Sequence, residues 1–424
     1  MGVQRIAILS VHTSPLAPLG GKKTGGMNVY VREFAEELGR HNIAVDIYTR
    51  RAAPNLPDVD NSIGENVRVI HLAAGPLQTL DPNDVYPYVS QFAAGVIAFT
   101  TRQHIKYDLI YSHYWLSGWV AHKLNEVWNT PFVQMFHTLG HMKNRIDAKQ
   151  PILPDIRLTV ETQVVQWADR IVAATPAEQA QLLWLYRADP RKIVIVPPGV
   201  DSSRFRPIPQ DEAKARLNIP LKNNLLLFVG RIEPLKAVDT ILEAINLIRR
   251  DNPQVLEHTA FAIIGGDPDN PADKELSRLR TLSESLNLRD IVDFLGAKDH
   301  KMLAYYYAAA TAVIMPSDYE SFGMVALEAM ASGTPVIASE VGGLAYLVND
   351  KKTGFLVPAR EPAALAKGIV TLLTDPIKRA QLGQNAAELA RQYAWSNIVD
   401  QLLPVFEDVA ARRNGAVAFS HHKH

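Results

Sequence analysis

Two doubly wound α/β domains, each a parallel sheet flanked by helices, are what the sequence predicts, on two observations. Short apolar, β-branched runs alternate with longer amphipathic stretches almost from end to end, the mark of repeated strand–helix units on parallel sheets. The chain has 424 residues, too many for one ordinary core and enough for two domains of about 200 residues each. Two Rossmann-like domains imply a cleft between them.

In the first half the strand candidates are Arg5–Ser10, Ala44–Thr49, Val67–Leu72, Leu109–Tyr111, Phe132–Phe136, Ile171–Ala174 and Ile193–Val196. The clearest helix follows the first strand. Met27, Tyr30, Val31, Phe34, Ala35 and Leu38 recur at helical spacing, with Arg32, Glu33, Glu36 and Glu37 expected on the opposite side. Pro197-Pro198-Gly199 and Arg206-Pro207-Ile208-Pro209 interrupt the periodicity and read as a linker. Strands resume at Asn224–Val229, Ala260–Ile264, Val292–Leu295, Ala312–Met315, Pro335–Ser339 and Gly354–Val357, and Glu361 to Arg412 is almost wholly helical in pattern. The expected division is residues 1–205, residues 206–395, and a stretch 396–424 holding a helix that packs back on the first domain, then a His-rich tail.

Composition narrows the function. Apolar residues make up 47% and charged residues 21%, a globular balance. The 44 basic and 44 acidic side chains cancel, so no whole-molecule field favours nucleic acid or an anionic membrane as partner. There is no cysteine, which removes disulfides and thiolate catalysis. The apolar run Ile6–Leu9 is too short for a signal-peptide core, and nowhere do about 18 apolar residues run together. A cytoplasmic protein is expected.

Ligands of open parallel sheets lie beyond the carboxyl ends of the strands, and the unusual residues cluster in those loops. Gly25-Gly26 opens the first helix, either as a plain turn or as an anion site on its backbone N–H groups. It is not a G-x-G-x-x-G fingerprint, which weakens a nicotinamide-dependent reading. His113, Tyr114 and Trp115 follow one strand; His137 and Thr138 follow the next. Arg157 and Glu161, four apart on an expected helix, either form only a surface pair of small energetic value, or Arg157 faces the cleft and binds a phosphate bidentately. In the second half Gly230-Arg231 and Lys236 share a strand-end loop, two cations of the kind a departing diphosphate requires. Glu320 lies in the loop after Met315, and Glu328 eight residues on, where a carboxylate among Val325, Ala326, Leu327, Ala329 and Met330 needs partners. Asp267-Pro268-Asp269 reads as a turn, and no metal is assigned.

Together, Gly230-Arg231 with Lys236 and Glu320-Ser321-Phe322-Gly323 with Glu328 resemble the retaining family-four glycosyltransferases of the GT-B fold, the group that includes sucrose-phosphate synthases and the inositol-phosphate N-acetylglucosaminyltransferase of mycothiol synthesis. The resemblance spans the chain. It implies that Arg231 and Lys236 hold the donor diphosphate and Glu328 the ribose. Glu320 and the backbone of Phe322, Gly323 and Met324 would hold the transferred sugar, with Gly26 on the diphosphate from the opposite domain and His137 beside the reacting sugar. His137, Arg231, Lys236 and Glu320 are thus the implied catalytic group. His12-Thr13-Ser14, Gly25-Gly26-Met27-Asn28, His113-Tyr114-Trp115 and His137-Thr138-Leu139 resemble the inositol-phosphate enzymes in particular, and Asn28, Tyr114, Thr138 and Arg157 match their acceptor-phosphate ligands. Two departures stand out. Ala237 replaces the family's glycine, and the loop Leu77–Pro82 has no counterpart of its acceptor lysine.

The resemblance therefore implies retaining transfer from a UDP-sugar, a substrate rather than a cofactor, to a sugar phosphate. UDP-glucose with fructose 6-phosphate is preferred to UDP-N-acetylglucosamine with inositol 1-phosphate because of the missing lysine. A nucleotide-sugar epimerase and a non-catalytic nucleotide-sugar sensor are the readings outside this class.

Overall fold

The computed structural model describes residues 2–17, 25–142, 155–270 and 273–420, the last eight as helical backbone only. The His-rich tail from residue 421 and most of the loop from His12 to Thr24 lie outside them. Among the described residues the chain divides into two units, one gathering 2–17, 26–199 and 395–420, the other Gly25 and 200–394.

The first unit holds an eight-stranded sheet in the order β3-β4-β2-β1-β5-β6-β7-β8. The strands are β1 (Arg5–Leu9), β2 (Ala44–Arg50), β3 (Val59–Asp60), β4 (Val67–Leu72), β5 (Leu109–His113), β6 (Phe132–Met135), β7 (Arg170–Ala173) and β8 (Ile193–Ile195). All pair in parallel except β3, which runs antiparallel on β4. That two-residue edge strand is too short to leave a periodic signal. β1 lies between β2 and β5, so the strand order reverses there, and such a switch point is where open sheets form ligand crevices. Ile6, Ile8, Val45, Ile47, Leu109 and Val133 are all fully buried, which explains why these strands read as continuous apolar runs.

The helix Gly26–Arg40 covers this sheet with Val31, Phe34 and Leu38 buried. Its polar side is less exposed than the spacing predicts, for Glu33 and Glu37 are also buried. Each carboxylate has a partner, Glu33 in Arg32 and Glu37 in Arg40, and the terminal helix Trp395–Ser420 packs against this one. Phe406 meets Phe34 with ring centroids 6.3 Å apart, and Trp395 stands edge-on to Tyr30 at 5.3 Å. Among the described residues no helix is long and apolar enough to cross a membrane.

The second unit is built on β9 (Asn224–Val229), β10 (Thr259–Ile264), β11 (Val292–Phe294), β12 (Ala312–Met315), β13 (Val336–Ser339) and β14 (Gly354–Val357). These form a wholly parallel sheet in the order β11-β10-β9-β12-β13-β14, with β9 at the reversal. Asp267-Pro268-Asp269 is a turn, in which Asp267 accepts the Asp269 N–H at 3.1 Å.

Candidate active site

In the first unit three strand ends supply the unusual groups. β5 passes directly into the helix Tyr114–Trp128, which forces Tyr114 to φ +76°; two residues beyond β6, His137 sits at φ +62°. Left-handed backbone at bulky residues costs on the order of 1–3 kcal/mol each and persists where the surroundings over-determine it.

Arg157 begins the helix Ile156–Trp167, capped by Asp155, which accepts the Arg157 N–H. Its guanidinium donates from Nε to Glu161 (2.6 Å), from NH1 to the Tyr114 hydroxyl (3.0 Å), and from NH2 to the Thr138 carbonyl (2.6 Å) and hydroxyl (3.2 Å). Arginine carries five N–H groups, so one NH1 hydrogen has no protein acceptor among the described residues. Glu161 is fully buried and also accepts from the Gly140 N–H at 2.9 Å and from the Tyr186 hydroxyl. The surface-pair alternative for Arg157 and Glu161 is thereby excluded. Burial works against the Arg157 charge, but the Glu161 carboxylate together with Tyr114 and Tyr186 outweighs it, so its pKa rises. Arg157, Tyr114 and the exposed hydroxyl of Thr138 thus converge as a fixed cation with two hydroxyls, an arrangement suited to phosphate oxygens.

Asn28 is joined to the loop after β1, donating from Nδ2 to the Thr13 hydroxyl (2.6 Å) and the Ser14 carbonyl (2.7 Å). The same loop carries His12, whose ring meets Tyr114 at 4.5 Å between centroids. Gly26, the first residue of its helix, has an exposed backbone.

Three histidines ring this edge. His113 Nδ1 lies 2.9 Å from His137 Nε2, and Tyr30 stands edge-on to His137 at 5.2 Å. Burial, with a smaller push from Arg157, lowers the His12 pKa to about 3; burial, then His12, lowers that of His137 to about 3. His113 is held well below the ordinary value by burial and by His137. All three are neutral at neutral pH.

In the second unit the loops after β9 and β12 are tied by an Asp318 N–H donated to the Leu235 carbonyl at 2.9 Å. Arg360 bridges Asp318, Asp239 and the Pro234 carbonyl across the same loops. This tie brings the Lys236 ammonium onto the Glu320 carboxylate. Arg231 is more exposed and pairs instead with Glu233 at 2.8 Å. Ala237 takes φ +51°, the conformation for which glycine is the usual choice. Gly323, at φ +104°, leads into the helix Met324–Ala331, so the backbone from buried Phe322 to Met324 forms its start. Glu328 is buried on that helix and accepts from the Tyr307 hydroxyl at 2.8 Å, with His300 Nε2 at 4.0 Å.

Sequence reasoning missed the supports of these loops. Gly342 and Gly343 lie so close beneath Glu320 and Phe322 that a Cβ on either would come within 2.2 Å of their backbone, and the Gly343 N–H donates to the Glu320 carbonyl. A Cβ on Gly265 would stand 1.8 Å from the Gly230 carbonyl oxygen. The paired glycines after β10 and β13 were the available signal, readable as a demand for close backbone approach. Tyr186, which helps hold Glu161, left none.

Comparison with known proteins bears on the family and the fold. Residues 24–204 match the model of Glycosyltransferase Family 4, and residues 209–389 that of Glycosyl transferases group 1. The chain is 42% identical to a D-inositol 3-phosphate glycosyltransferase of Kineococcus radiotolerans, across 97% of this chain and 98% of that one. Sucrose-phosphate synthase from Thermosynechococcus elongatus is 35% identical and superposes with a TM-score of 0.88 over 96% of this chain and all of that one. Anabaena HepE, solved with UDP-glucose, shares the fold at a TM-score of 0.73 and 20% identity, covering 95% of this chain and 99% of its own.

Proposed function

Since this chain belongs to the retaining family-four glycosyltransferases of the GT-B fold, we propose that it moves glucose from UDP-glucose to fructose 6-phosphate, giving sucrose 6-phosphate in the cytoplasm. The observation that carries a phosphorylated acceptor is Arg157, buried on Glu161 with the Tyr114 and Thr138 hydroxyls beside it and one N–H unclaimed among the described residues. Asn28 orders the neighbouring loop and contributes to the same pocket.

On this reading Lys236 and Arg231 neutralise the diphosphate as its bond to the anomeric carbon breaks, which is where negative charge develops. Glu328 receives the ribose hydroxyls. Glu320 and the backbone of Phe322, Gly323 and Met324 receive the sugar, and Gly26 adds a backbone N–H toward the diphosphate. The acceptor hydroxyl attacks from the face the nucleotide leaves, and the departing phosphate takes its proton, so no protein base is required. Two cations already serve the leaving group, and the reading includes no metal or cofactor.

A second reading, N-acetylglucosamine from its UDP-sugar to inositol 1-phosphate, is favoured by the relatives named D-inositol 3-phosphate glycosyltransferases. Against it stands the loop Leu77–Pro82, which has no lysine. Buried Arg50 beneath it donates to the Pro76 and Gln78 carbonyls. UDP release from each donor with fructose 6-phosphate, inositol 1-phosphate or no acceptor tests both. Release from UDP-glucose only with fructose 6-phosphate is expected; release only with the N-acetylglucosamine and inositol phosphate pair would replace the first reading by the second. Donor conversion without any acceptor would indicate an epimerase, and binding without turnover a sensor.

A further inference from the structure

We infer that His113 fixes the tautomer of His137, so that His137 presents an Nδ1–H to the substrate as a permanent hydrogen-bond donor and does not serve as a proton acceptor. The inference rests on the reading that His137 meets the transferred sugar.

The argument starts from the contact between His113 Nδ1 and His137 Nε2 at 2.9 Å. Two neutral imidazoles in contact share one proton, and there are two ways to place it. If His137 donates, His113 must carry its own hydrogen on Nε2. That nitrogen is buried with no hydrogen-bond partner, so an N–H would be stranded there. If His113 donates from Nδ1, only an acceptor lone pair is left unpaired at the same place. Orphaned buried N–H groups are the rarer and costlier of the two, so the second arrangement is favoured.

The consequence passes to His137. Its Nε2 lone pair is occupied by the His113 N–H, and its hydrogen therefore sits on Nδ1. Among the described residues that nitrogen has no hydrogen-bond partner, and it is not among the buried unpaired atoms, which leaves it available to a ligand at the carboxyl end of β6. The left-handed backbone at His137 and the edge-on ring of Tyr30 hold the imidazole in this orientation. An Nδ1–H fixed in this way suits a sugar hydroxyl oxygen, whose position it sets without exchanging a proton. His113 touches no substrate on this account; it is a positioning residue.

The test reads the tautomer directly. Long-range 1H–15N correlation spectra of the full chain with 15N-histidine, assigned through His137→Gln and His113→Gln variants, should show His137 protonated on Nδ1 and not on Nε2 from pH 5 to 8. A wild-type His137 protonated on Nε2 would overturn the inference, whatever any variant does. His113→Asn keeps an N–H near the Nδ1 position and should preserve both the His137 tautomer and turnover. His113→Ala should let His137 revert toward the Nε2–H form and lower kcat by about tenfold, the worth of one hydrogen bond. Unchanged turnover in His137→Phe would overturn the role given to His137. The spectra need no substrate, so the expected tautomer in a protein inert toward every donor and acceptor pair would reject the proposed function alone.

Discussion

Lys236 and Glu320, 84 positions apart in the chain, meet as an ion pair at the carboxyl ends of β9 and β12. Both side chains are mostly shielded from water, so the ammonium is held in place before any diphosphate arrives. Preorganised charge of this kind acts where charge develops in the transition state. Lys236→Ala and Arg231→Ala should each lower kcat by on the order of a hundredfold or more, measured as UDP release at saturating acceptor. Unaltered turnover in both would remove them from the leaving-group site.

Arg157 should divide the substrates. Arg157→Lys keeps a positive charge but loses the fork that reaches Tyr114 and Thr138 together. The acceptor KM should rise at least tenfold while the donor KM changes little. Initial-rate kinetics with each substrate varied in turn decide this, and equal damage to both would reject the assignment. Arg157→Ala should also destabilise the fold by about 3–5 kcal/mol, because Glu161 would be left buried without its cation.

Much of this was legible beforehand, for a definite reason. Strands of a parallel sheet are buried on both faces, so runs such as Ile6 to Leu9 and Ala312 to Met315 identify themselves, and the carboxyl-end rule then points to His113, His137, Arg231 and Glu320. Partners across long separations were not legible. Nothing in the spacing of Arg157 and Glu161 distinguishes a surface pair from a buried one, because Tyr186, Gly140 and Tyr114 decide it. The covering of Tyr30 and Phe34 depends likewise on a helix that begins at residue 395.

The histidines predict a pH profile. With His12 and His137 titrating at about 3, neither changes charge near neutrality. The kcat should show no inflection from either imidazole between pH 5.5 and 7.5. An inflection in that range that disappears in His137→Gln would contradict the neutral assignment.

Glu178 predicts a stability profile of the opposite kind. It lies buried in the helix Pro176–Tyr186, where one carboxylate oxygen accepts the Ala174 N–H and the other has no partner. Burial raises its pKa to about 7 from an ordinary 4.5. A raised folded-state pKa contributes stability that is full below the unfolded value and is lost as pH rises through about 7. That contribution is of order 3 kcal/mol. The Tm difference between the wild type and Glu178→Gln should therefore shift against the wild type as pH rises from 5 to 8, and a constant difference would show that Glu178 is not the source.

Ala237 tests the one departure from the expected glycine. At φ +51° its methyl group is strained, so Ala237→Gly should stabilise the protein by about 0.5–1 kcal/mol, seen as a higher urea midpoint. A lower midpoint would mean that packing of the buried methyl outweighs the strain.

The terminal helix decides the order in which the protein can be finished during synthesis. Every strand of the second unit's sheet comes from within residues 200–394, so that sheet closes without any later part of the chain. The other unit must wait. Ile398, Val399, Leu402 and Phe406 complete its core, and they leave the ribosome last of its parts. Until then Tyr30 and Phe34 lack the covering of Trp395 and Phe406. A fragment ended at residue 205 would carry that uncovered face permanently and should aggregate, whereas one spanning 200–394 keeps every strand of its sheet.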